Sequence, residues 1–142
     1  MKSGTAKLRE TAVAGGEMVT TVWRITVILP GMPPPGSLRV IDAAEDFAVT
    51  VNRLLKSRFR PVTYADQLRR SAGSVGANLV EGYGRGPGAD RLNRYRTAKA
   101  ECEETLSWLR GAYRLGEIPA KDFYALSNRG IVIARMISAL IN

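Results

Sequence analysis

The sequence predicts an all-α fold: an antiparallel, up-down-up-down four-helix bundle preceded by an irregular N-terminal extension. Three observations carry this. Apolar residues recur at helical spacing in four separate stretches after Ser37, proline or glycine interrupts the chain between them, and the interruptions are short. Amphipathic helices joined by short links pack antiparallel to their neighbours, because each must bury one apolar face.

The first helix follows Ser37, read as a cap, and carries Leu38, Ile41, Ala44, Phe47, Val51, Leu54 and Leu55 on one face until Pro61 stops it. The second follows Thr63, runs to about Tyr83 and holds Leu68, Ala72, Val75, Leu79 and Val80. Its interior glycines, Gly73 and Gly76, cost a helix about 1 kcal/mol each relative to alanine, so close helix contact is the expected compensation. Gly82 to Gly88 reads as a connector. A third helix runs from about Ala89 to Leu115, with Leu92, Tyr95, Ala98, Cys102, Leu106, Leu109 and Tyr113 along one stripe and Gly116 as its C-terminal cap. The fourth begins after Pro119 and carries Phe123, Leu126, Ile133, Met136, Ile137 and Leu140 as an amphipathic pattern to the C-terminus.

Two regions follow: an extension over 1–36, flexible or swapped, and the bundle over 37–142. The extension combines Gly15-Gly16, scattered threonines and the stiff Pro33-Pro34-Pro35 run. Val19, Val22, Ile25, Val27 and Ile28 can form a short strand with no partner in the helical part, so it pairs between subunits or stays disordered. Met18 and Met32 stand near the start of the helical part and leave an over-extended gene start open.

Composition narrows function. The chain has 21 Lys+Arg against 13 Asp+Glu, a formal net charge of +8, which concentrates polyanions at its surface. Nucleic acid is the first partner this implies, with an acidic protein or an anionic membrane behind it. There is no histidine, which removes the commonest metal ligand and the commonest neutral-pH acid or base. The expectation is therefore a non-enzymatic protein with no cofactor and no metal. The sole cysteine, Cys102, is read as core filler in a reducing cytosol. The apolar run Val19 to Leu29 is too short to span a membrane and is broken by Arg24, and a signal peptide fits poorly, so the expected location is cytoplasmic.

Two basic groups are candidate nucleic-acid contacts. Arg53, Lys56, Arg58 and Arg60 end the first helix, where arginine forks match phosphate oxygens. The alternative for Lys56 and Arg58 is compensation of the helix dipole. Arg85, Arg91, Arg94, Arg96 and Lys99 gather on the second connector and the start of the third helix, where Arg85 and exposed amides offer an anion site. The alternative there is a solvated basic face. Tyr83 and Tyr95 are candidate base-stacking rings, with core packing the preferred role for Tyr95. Glu101, Glu103 and Glu104 are read as salt-bridge or solvent-facing carboxylates, since bundle di-metal sites require histidine partners.

The stretch Gln67 to Arg85, QLRRSAGSVGANLVEGYGR, resembles the signature of the bacterial four-helix-bundle family named for the ribosomal-RNA intervening-sequence protein. Gln67, Arg70, Ser74, Asn78, Glu81 and Gly82 match its pattern, and Ser71, Val75, Leu79 and Val80 are mild departures. Ala98-Lys99-Ala100, Glu104, Leu109, Ala112, Leu115-Gly116 and Ile118 resemble the family's third helix, with Glu101 where serine is frequent. The resemblance covers Leu38 to Asn142. It implies that Asn78 and Glu81 satisfy each other, Arg70 or a neighbouring helix, and that the bundles assemble into homopentameric rings. One branch is similar to the accessory variability determinant of diversity-generating retroelements, which binds a reverse transcriptase and its template RNA. The expected function is accordingly an oligomeric module for RNA or an RNA-bound reverse transcriptase. The alternative is a protein-only scaffold that recruits an acidic partner.

Overall fold

The computed structural model describes residues 35–142, which form four helices: α1 Pro35–Ser57, α2 Ala65–Gly84, α3 Ala89–Arg114 and α4 Ala120–Ile141. The strand expected around Val19 to Ile28, and the rest of the extension before Pro35, lie outside these residues. Each helix packs on its chain neighbours, and α1 also packs on α4, so the four close into an antiparallel bundle.

The buried positions explain this arrangement. A seam runs through Val40, Ala44, Phe47, Val51 and Leu54 on α1, with Ile41 and Leu55 buried beside it, and through Leu68, Ala72, Val75, Leu79 and Gly82 on α2, with Ser71 and Gly76 buried beside it. On α3 the buried positions are Tyr95, Ala98, Cys102, Thr105, Leu109 and Ala112, and on α4 Leu126, Gly130, Ile133 and Ile137. Steps of three and four residues alternate in every helix, which keeps one seam facing the partners at a shallow crossing angle.

The α3 seam corrects the expected stripe, because Thr105 and Ala112 occupy the buried register while Leu92, Leu106 and Tyr113 flank it. Thr105 is tolerated there because Ser71 on α2 faces it: their hydroxyl oxygens are 2.8 Å apart. Ser71 donates to the Gln67 carbonyl, and the Thr105 oxygen also lies 2.9 Å from the Glu101 carbonyl. No buried side-chain oxygen or nitrogen among the described residues lacks a partner. Ser71, a departure from the family pattern, thus belongs to a satisfied buried pair.

The glycines divide by role. Gly73 is exposed with nothing near its missing Cβ, and Gly76 meets Glu45 and Ala44 only at ordinary contact distance. The tight helix contact expected at these two positions occurs instead at Gly82, where a Cβ would stand 2.8 Å from the Arg94 Cβ and 3.0 Å from the Tyr95 ring. Gly82 is therefore helical and buried, and the connector between α2 and α3 shortens to residues 85–88. A second close approach, at Gly130, brings Leu106 within 2.6 Å of a hypothetical Cβ.

The helix ends follow local chemistry. α1 begins at Pro35, ahead of Ser37; proline suits a first turn because its φ is preset and its missing N–H is not required. Gly116 ends α3 as expected, at φ 74°, with Glu117 N–H donating to the Ala112 carbonyl and Gly116 N–H to that of Tyr113. That pair of bonds is a Schellman motif, which needs a left-handed residue at this position. Val80, expected among the apolar face of α2, is exposed, as are Val49, Ile131 and Val132. No helix among the described residues is long and apolar enough to cross a membrane.

Candidate nucleic-acid interface

The fold separates the two basic groups to opposite ends of the bundle. Arg53 and Lys56 lie near the end of α1, and Arg58 and Arg60 lie on the connector to α2. Arg85 lies on the connector at the other end of α2, followed by Arg91, Arg94, Arg96 and Lys99 on α3. A helix of 20 residues stands between the two connectors, about 30 Å at 1.5 Å per residue. They are two patches, not one.

The group around α2 and α3 is occupied by the protein itself. Arg91 donates to the Tyr83 carbonyl (2.8 Å) and the Gly82 carbonyl (3.3 Å), and its guanidinium stacks 4.3 Å from the centre of the Tyr83 ring. Both carbonyls also accept backbone N–H bonds, Gly82 from Arg85 at 3.2 Å and Tyr83 from Gly86 at 3.1 Å, so Arg91 adds a second donor to each at the end of α2. Arg94 donates to Asn78 Oδ1 at 3.2 Å and approaches Glu81 at 3.4 Å. Arg85 pairs with Glu81 at 3.1 Å and with Asp90 at 3.8 Å, and Lys99 with Glu103 at 3.7 Å. Arg96 bonds to the neutral Asn93. Tyr95 is buried in the core.

Of the matched family residues, Asn78, Glu81 and Gly82 lie in this same seam. Asn78 donates to the Ser74 carbonyl and receives Arg94, while Glu81 holds Arg85 and Arg94 together. Arg70 is exposed, and its charge faces Glu101, whose carboxyl is held above the usual carboxylate range by burial and by Glu104, with Arg70 opposing. Glu103 pairs with Lys99, and Glu104 accepts the Trp108 N–H at 3.1 Å, so these carboxylates point to separate partners.

At the other end the cations are unopposed. Arg53, Lys56 and Arg60 are exposed and Arg58 is half-buried, and among the described residues none of the four side chains has an ion pair or a side-chain hydrogen bond. The nearby carboxylates are engaged: Glu117 accepts Thr63 N–H at 3.0 Å and Thr63 Oγ1–H at 2.6 Å, and Asp66 pairs with Arg69 at 3.0 Å. The Thr63–Glu117 bonds also tie the first connector to the third, which brings the end of α3 and the start of α4 to this end. Arg110, Arg114 and Lys121 join it there, all exposed and none in an ion pair among the described residues.

Between the two connectors runs a groove of about 460 Å³ lined by Arg58, Phe59, Arg60, Pro61, Leu115, Gly116 and Glu117. Phe59 is 97% exposed. Sequence reasoning passed over it because it falls beyond the last apolar position of α1; the signal available was an aromatic between two arginines in a connector.

A family model described as 23S rRNA-intervening sequence protein matches residues 36–139. The chain belongs to that family. No curated protein matches it. Among solved structures it is similar to a protein of unknown function of the S23 ribosomal protein family from Bacteroides thetaiotaomicron, with 27% identity and a TM-score of 0.71 over 75% of this chain and 97% of that one. Within the family motif, Asn78, Glu81 and Gly82 contact α3.

Proposed function

We propose that this member of the 23S rRNA-intervening sequence protein family is a non-enzymatic, basic, oligomeric bundle that binds RNA through the end formed by the first and third connectors. One observation carries the reading: Arg53, Lys56, Arg58 and Arg60 follow one another at this end and none of them has an ion pair among the described residues. Leaving such charges unpaired repels the folded state, and phosphate binding with counterion release is the interaction that rewards it. The RNA in the family's name and the net charge of +8 support the same ligand.

The oligomer proposed is a homopentamer, following the resemblance. The exposed Val49, Val80, Ile131 and Val132 on α1, α2 and α4 supply apolar surface for contacts between copies. An RNA-bound reverse transcriptase is the protein partner we propose alongside the RNA, as in the retroelement branch that the sequence resembles, and the site of action is the cytoplasm.

The test is a fluorescence-anisotropy titration of structured RNA, single-stranded RNA and duplex DNA across a salt series. Log affinity for RNA is expected to fall linearly with log salt, with a slope that tracks the phosphates neutralised. Absence of binding to all three overturns RNA as ligand and favours a protein-only scaffold. Sedimentation velocity reads the oligomer separately.

A further inference from the structure

We infer that the α1–α2 connector takes an unpaired nucleotide of single-stranded RNA, with its base stacked on Phe59 and its flanking phosphates held by Arg58 and Arg60. This rests on the RNA-binding reading above and adds to it the class of RNA. Phe59 is the most exposed large apolar side chain described, at 97%, yet it belongs to a well-formed connector tied down by the Thr63–Glu117 bonds and by Arg58 N–H on the Leu55 carbonyl. A phenyl ring offers no hydrogen bond, so what it presents to a polyanion is a stacking face. Base–aromatic stacking combined with adjacent cations is the usual means of holding single strands, and it tolerates any base because each has a π-face.

The surroundings agree with that occupant. Pro61 and Leu115, both exposed, add apolar surface to a groove that Phe59 also lines. The one carboxylate lining the groove, Glu117, is turned to Thr63 by two hydrogen bonds. Arg53 and Lys56 stand about one to two turns back along α1 from the connector, both exposed. In a duplex the bases are already stacked inside the helix, and a lone surface ring gains nothing from them. The ring therefore selects for unpaired nucleotides, while the cations alone do not.

The experiment compares the wild-type chain with Phe59→Ala and Phe59→Trp, using a labelled single-stranded RNA of about 12 nucleotides and the duplex formed from it. Because Phe59 is exposed, neither variant should change the helical circular-dichroism signal or the melting temperature. The expected result is that Phe59→Ala weakens single-strand binding about 5- to 100-fold, leaves duplex binding unchanged, and is rescued by Phe59→Trp. A 2-aminopurine placed in the strand should change its fluorescence on binding the wild type and not on binding Phe59→Ala. Equal single-strand affinity for wild type and Phe59→Ala, or equal losses on both RNAs, overturns the stacking role while the RNA-binding reading stands. No binding of either RNA by the wild type overturns both.

Discussion

Arg94 of α3 donates to Asn78 of α2 at 3.2 Å and lies 3.4 Å from Glu81, which in turn holds Arg85. A residue that looks like a phosphate ligand in the sequence is thus a strut between two helices. Because the ion pair is partly exposed, its contribution is about 1 kcal/mol. Arg94→Ala should lower the urea midpoint of unfolding by a corresponding amount while leaving RNA affinity within error, which urea denaturation and anisotropy together check.

Two glycines of α2 should respond oppositely to the same substitution. A Cβ at Gly82 would press on the Arg94 Cβ and the Tyr95 ring, so Gly82→Ala should destabilise the bundle by about 1–3 kcal/mol. Gly73 has nothing near the added methyl, so Gly73→Ala should stabilise by up to about 1 kcal/mol through helix propensity. Thermal melts of the two variants beside the wild type give both signs.

Cys102 is fully buried, its thiol donates to the Gly130 carbonyl at 3.2 Å, and burial, with Glu103 adding to it, pushes its pKa up to about 11. The reactive thiolate is correspondingly scarce. Iodoacetamide at pH 8 should leave the folded chain unmodified and label it on unfolding in urea, as mass spectrometry would show. Since the folded-state pKa is raised, the thiol's contribution to stability is full below about pH 9 and is lost as pH rises toward about 11.

Much of the bundle was legible because its core repeats with a period the sequence displays openly. Phe47, Val75, Leu109 and Ile137 are all apolar and all buried. What the periodicity concealed were positions where a non-apolar residue fills the seam. Thr105 is buried because Ser71, on another helix, meets it, and no local pattern reports a partner 34 residues away. Gly82 reads as a turn residue in a run of glycines, yet it is buried in α2 where a Cβ would press on Arg94 and Tyr95 of α3.

The candidate site was half legible for a related reason. Charge density found both basic groups, but only the fold shows that Arg91 and Arg94 are held by α2 while Arg53 and Arg60 are not held by any described residue. Arg110, Arg114 and Lys121 are distant in sequence from the first connector, and the Thr63–Glu117 bonds bring them to its end of the bundle.

The measurement that bears most directly on the central claim is RNA affinity after charge reversal at each end of the bundle. Arg53→Glu with Arg60→Glu alters one end; Arg39→Glu with Arg96→Glu alters the other by the same net charge, at exposed positions without an ion pair among the described residues. The first pair should reduce affinity at least about tenfold and flatten the salt slope by about two phosphates, with melting temperature and oligomer size unchanged, while the second pair costs far less. Equal losses from both pairs, or a greater loss from the second, would contradict the assignment of the interface to the first connector.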